Sequence, residues 1–157
     1  MQFNRIPLVP AAILKAHRVN EPGDTRFKAA ARFLQSLWRD EKGLPIGTHR
    51  SSKGKRRKMG SRLDAESAKQ GSNFLSPDIA KLALRESVYR EIGAVIEQER
   101  LWTNMLSSQP LCFNLFGWMK LDAEKANQFF CHLFPDYVAA VKGIYFEHSP
   151  GRGDPAF

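Results

Sequence analysis

Cysteine is scarce in this sequence: 157 residues carry two, Cys112 and Cys131, with no CxxC spacing. That excludes a disulfide framework and a zinc cluster, and leaves two buried free thiols as the plain reading. Long hydrophobic runs are missing as well. The apolar stretch from Ile6 to Leu14 is broken by Pro7 and Pro10, so it makes a poor signal-peptide core and is far too short to span a bilayer. A soluble cytoplasmic protein with no membrane partner is expected. No internal repeat is found. Acidic residues are absent between Glu41 and Asp64, and that gap dominates the charge pattern.

Apolar material is plentiful: 43% of residues are hydrophobic, with eleven Phe, three Trp and three Tyr, which suffices for one domain over residues 1–157 and excludes a wholly disordered chain. The net charge is +8, and Arg50, Lys53, Lys55, Arg56, Arg57, Lys58 and Arg62 supply seven positive charges inside the acid-free gap. Without them the chain is nearly neutral. Gly43, Pro45, Gly47, Gly54 and Gly60 interrupt the same stretch, so residues 44–72 are expected to form a flexible basic loop rather than a helix face. Such a loop neutralises phosphates and gains affinity from released counterions, which makes DNA the expected partner; a solvated insertion is the bland alternative. No aromatic is interleaved with the charges, so a base-stacking platform for single strands is not indicated.

Helices are expected over most of the first 135 residues. Asp24 is placed as the N-cap of a helix running to about Lys42, with Phe27, Ala30, Ala31, Leu34 and Trp38 as its core stripe. Ser76, Pro77 and Asp78 start a second, long helix reaching about Arg100, with Ile79, Leu82, Tyr89, Ile92 and Ile96 in period. Ser107, Ser108 and Pro110 open a shorter third helix whose apolar density predicts burial on nearly all sides. Asp122 caps a fourth, with Ala126, Phe129, Phe130, Leu133 and Phe134 inward and Pro135 at its end. Cys131 and His132 read there as core packing. Period-two alternation then predicts one strand from Val138 to Glu147. A single strand is unstable alone, so its edge is expected to pair with missing sequence or with another chain, of the same kind or different.

Several runs carry a likeness: Leu44-Pro45-Ile46-Gly47-Thr48-His49, Gly60-Ser61-Arg62-Leu63, Asn73-Phe74-Leu75-Ser76-Pro77, the block from Leu106 to Gly117, and Phe146-Glu147-His148-Ser149-Pro150-Gly151-Arg152. Together and in order, over roughly residues 38 to 157, they resemble bacterial PD-(D/E)XK-like restriction endonucleases. The resemblance implies an α/β chain, a mainly helical N-terminal portion leading into the first strand of a restriction-endonuclease-like core. It also implies Mg²⁺-dependent DNA cleavage, in which an Asp and a Glu-x-Lys hold the metal, activate water and neutralise charge on the phosphate.

No usable Glu-x-Lys occurs in this sequence, and by the family pattern the Asp and Glu-x-Lys strands would follow Phe157. The resemblance implies catalytic roles for Glu147, Gln109 and Asn114, with Glu147 also a metal ligand, and a phosphate contact for Arg152. Glu147 has a bland reading as the polar end of a strand, and Gln109 and Asn114 as helix braces. The chain by itself is expected to be inactive or nearly so. The rival expectation is a non-enzymatic DNA-binding or assembly module.

Overall fold

A computed structural model describes residues 6–51, 54–90 and 94–147. Among them the chain is α/β: helices α1 (Ala11–Ala16), α2 (Arg26–Glu41), α3 (Ala65–Lys69), α4 (Pro77–Val88), α5 (Gln98–Thr103), α6 (Ser108–Leu121) and α7 (Ala123–Leu133), with an antiparallel pair β1 (Ile46–Arg50) and β2 (Arg56–Leu63). The chain divides into two compact units. One holds the residues up to Asn73 together with Trp102–Ser107; the other holds Phe74–Leu101 and the residues from Ser108 onward.

The first unit is built on the hairpin β1–β2, which occupies the stretch expected to be a loop. Glycine and charge argued against packing there, but strands need only alternate, and the described basic side chains other than Arg62 stand on the exposed end of the ribbon. In β2, residues 56–58 are exposed and residues 59–63 are buried. Between the pairs Ile46↔Leu63 and Thr48↔Lys58 the register shifts, so Gly47 alone faces residues 59–62. That bulge needs its glycines: a Cβ on Gly47 would lie 2.0 Å from the Leu63 carbonyl oxygen, and one on Gly60 would lie 2.1 Å from the His17 carbonyl oxygen. Within the bulge, Arg62 bridges to Asn104, and residues 102–107 belong to this unit.

Helix α2 packs on β2, though not by the expected stripe. Phe27 is 66% and Leu34 64% exposed, while Ser36 and Arg39 are buried. Polar side chains reach the bulge better than apolar ones because its carbonyls need donors. Arg39 Nε donates to the Gly60 carbonyl at 2.9 Å and a terminal nitrogen to Leu44 at 2.7 Å. Arg32 likewise donates to Ser61 Oγ at 3.2 Å while paired with Asp24. Asp24 is thereby taken, and the N-cap is Thr25, whose hydroxyl accepts from the Lys28 amide. Asp64 caps α3, accepting from the amides of Ser67 and Glu66.

The second unit is apolar at its centre. Ser76 caps α4 as expected, accepting from the Ile79 amide. The helix ends at Tyr89 rather than near Arg100; Tyr89 is exposed, and Ile92 lies outside the described residues. Gly117 on α6 lets Ile79 and Leu82 of α4 approach its backbone. Phe113, 1% exposed, meets Phe74 edge-on and stacks on Phe146 with ring centroids 4.1 Å apart. Helix α6 is not buried all round, since Leu111, Leu115 and Trp118 remain exposed. Asp122 caps α7 through the Lys125 amide. Ala126 faces inward, whereas Phe129, Leu133 and Phe134 are exposed. Cys131 and His132 are not core either, being half-buried and exposed.

Residues 138–145 form no strand. With no strand beside it among the described residues, the segment satisfies its backbone otherwise: the Val141 amide donates to Asn127 Oδ1 at 2.6 Å and the Ala139 carbonyl accepts from the Cys131 thiol. Phe146 stacks on Phe113, and Glu147 takes φ +55, outside the region of extended strand backbone.

Candidate functional site

The basic residues named from the sequence fall into two groups in the hairpin. Directly opposed residues of an antiparallel pair share a face, and faces alternate along each strand. The pairs Thr48↔Lys58 and Arg50↔Arg56 therefore lie on one face and His49↔Arg57 on the other. The second face is engaged with the scaffold: Arg57 pairs with Glu21, and His49 Nδ1 accepts from the Arg62 guanidinium at 3.2 Å. Arg62 is itself buried and donates to Thr103 Oγ1 at 3.1 Å. On the first face Arg50, Arg56 and Lys58 are exposed. Lys58 Nζ donates to the Ile46 carbonyl, while Arg50 and Arg56 have no ion pair or hydrogen-bond partner among the described side chains. Lys55 is exposed in the turn, where its amide donates to Ser51 Oγ and Gly54 takes φ +78. Lys53 and Arg152 lie outside the described residues.

The three residues given catalytic roles all belong to the second unit, and two of them line one pocket. Glu147 and Gln109 line one pocket of about 210 Å³ with Cys112, Phe113, Phe116 and residues 144–146. Gln109 is buried, and its amide is engaged on both sides: Nε2 donates to the Val95 carbonyl at 2.6 Å and Oε1 accepts from the Glu97 amide at 3.2 Å. Asn114 is not in this pocket; its Oδ1 accepts from the Leu75 amide at 2.9 Å. Both amides thus brace backbone, the reading open to any polar residue in an apolar helix. Cys112 is exposed over much of its surface yet lines the pocket, where desolvation pushes its thiol above the ordinary range and the Glu147 charge adds to the effect.

Mg²⁺ asks for about six oxygen donors, usually including one or two carboxylates. Among the described residues no three of His, Cys, Asp and Glu come together so as to hold a metal ion. One carboxylate, an amide already bonded and a thiol do not fit that demand. Nor is any helix of the described residues long and apolar enough to cross a membrane.

A sequence profile described as the PD-(D/E)XK nuclease superfamily matches residues 22–157, most of the chain. The chain belongs to the PD-(D/E)XK nuclease superfamily. Its function is accordingly of the nuclease type, and divalent metal is general among nucleases of this superfamily. No curated protein and no solved structure matches this nuclease chain significantly. Sequence reasoning missed the roles of Glu21, Arg32 and Arg39 in holding the nuclease hairpin. The signal available was slight: two short runs, 48–50 and 56–58, flanking a turn that contains Gly54.

Proposed function

We propose that this chain belongs to a DNA endonuclease that uses Mg²⁺, with the basic hairpin gripping the phosphate backbone and the chain by itself unable to cleave. The observation that carries the reading is the exposed ribbon of Arg50, Lys55, Arg56 and Lys58 in a superfamily nuclease. Fixed positive charges along a backbone release counterions and give sequence-independent grip, the first need of any enzyme that cuts DNA. Glu147 would be one oxygen ligand toward the metal, not enough to hold it, and Gln109 braces the pocket that both line. The remaining donors are the Asp and Glu-x-Lys of the family pattern, so no catalytic step is assigned to the residues described.

A second reading, a DNA-binding or assembly module without catalysis, is favoured by the donor set around Glu147, which among the described residues does not make up a metal site. Reading the coding frame beyond Phe157 separates the two: Asp and Glu-x-Lys strands in continuation support the nuclease, and an immediate stop supports the module.

The binding claim is tested by titrating the chain against duplex DNA across a salt series, with a plasmid-nicking assay in Mg²⁺ alongside. Expected are binding that weakens steeply with salt and no nicking. Salt-independent or absent binding removes DNA from the account, and Mg²⁺-dependent nicking lost in Glu147→Ala would prove the chain catalytically complete.

A further inference from the structure

We infer that the hairpin enters the major groove of B-form DNA with the face of Thr48, Arg50, Arg56 and Lys58, leaving Arg57 and Arg62 as scaffold. The inference rests on the DNA-binding reading above and sharpens it to one face and one groove.

Charge placement is the first support. Arg50 and Arg56 stand directly opposite each other, an arrangement that costs stability in a free hairpin because like charges face across the strands. Neither has an acidic partner among the described residues, although Glu21 is near enough to pair with Arg57 on the opposite face. A polyanion laid against the Arg50 face relieves that repulsion. Nothing comparable is on offer at Arg57 and Arg62, whose guanidinium groups are already engaged by Glu21, His49 and Thr103.

Shape is the second. Two antiparallel strands lie about 4.8 Å apart, and such a ribbon fits a major groove about 12 Å wide but not a minor groove about 6 Å wide. The deep, narrow major groove of A-form RNA excludes it too. Residues 56–58 are exposed, while residues 59–63, from the bulge to the strand end, are buried, so the basic end forms an exposed arm tied to the first unit, among the described residues, only on its Arg57 face. The two strand ends of that arm offer Arg50 and Arg56 side by side, able to reach phosphates or guanine edges from one position.

The test compares the full chain with R50Q/R56Q/K58Q and with R57Q, by fluorescence anisotropy on duplex DNA. The triple variant should lose on the order of 10²-fold in affinity at 0.1 M salt and flatten the log–log salt slope by about 2.7, three contacts at about 0.9 each. R57Q should change affinity by less than about threefold, since its charge is spent within the protein. R56Q should melt slightly higher than the parent, a gain that loss of a merely structural arginine would not give. Methyl green, a major-groove ligand, should displace the protein, whereas netropsin in the minor groove and duplex RNA as competitor should not. Triple-variant affinity equal to the parent's, an equal loss in R57Q, or displacement by netropsin alone overturns this assignment and leaves DNA binding intact. Failure of the unaltered chain to bind duplex DNA overturns the functional reading itself.

Discussion

Each of the two units has an interior held by different physics. In the second, Phe113, Ile79, Leu82 and Leu101 are at most 2% exposed and the centre is closed by ring stacking and by a glycine that admits α4 to α6. The first has Leu63 and Val19 at 1% but also buries Arg39, Arg62, Ser36 and Ser61. The Gly60 carbonyl of its bulged strand and the Leu44 carbonyl ahead of β1 are both answered by the Arg39 guanidinium. Apolar packing tolerates changes of shape when volume is kept, whereas a hydrogen-bonded interior tolerates changes of volume better than loss of a donor.

Substitutions at three positions put that contrast under strain. The largest effect is expected from Phe113→Ala, about 3–5 kcal/mol by urea denaturation, because a full ring is removed from a closed centre; Phe113→Leu should cost about 1–2 kcal/mol. Next comes Arg39→Met, similar in length but without donors, which strands the Gly60 and Leu44 carbonyls and should cost about 2–4 kcal/mol. Were Arg39→Met as mild as Phe113→Leu, the two interiors would be alike after all. The smallest effect is expected at Asp64, where replacement by alanine removes the α3 cap for about 1 kcal/mol. The Ser67 hydroxyl and the capped amides hold the Asp64 carboxyl below its ordinary 3.8. Its contribution is therefore fully present above that value and is lost as pH falls through the lowered one, so parent and Asp64→Ala melts should converge in acid and differ at neutral pH.

The same contrast explains how much could be read in advance. The second unit's helices α4, α6 and α7 and their Ser76 and Asp122 caps follow from short-range rules, and Ile79, Leu82, Phe113 and Ala126 were legible as interior. The first unit defeated those rules. Its hairpin hid in a run of arginine, lysine and glycine because hydrophobic periodicity does not register strands whose buried end is Met59, Gly60, Ser61 and Arg62. Helix α2 was legible, but its inward face was not: a stripe counted by apolarity named Phe27 and Leu34 and passed over Arg39. The strand expected at 138–147 erred oppositely, since alternation was present and a neighbour was not. Of the candidate site, the positive charge was legible, and its division between two faces was not, because that depends on cross-strand register and on Glu21 far away in sequence.

The bulge at Gly47 has a consequence for how this arm could change length. Because the register slips between base and tip, the pairing of Leu63 with Ile46 at the buried base is set apart from the pairs beyond Thr48 and Lys58. Two residues added to each strand of the tip would lengthen its reach by about 7 Å, with every added side chain alternating between the same two faces. Growth in whole steps of two preserves which charges look outward, while a single added residue would invert them, so the arm behaves as an adjustable gauge clamped at one end.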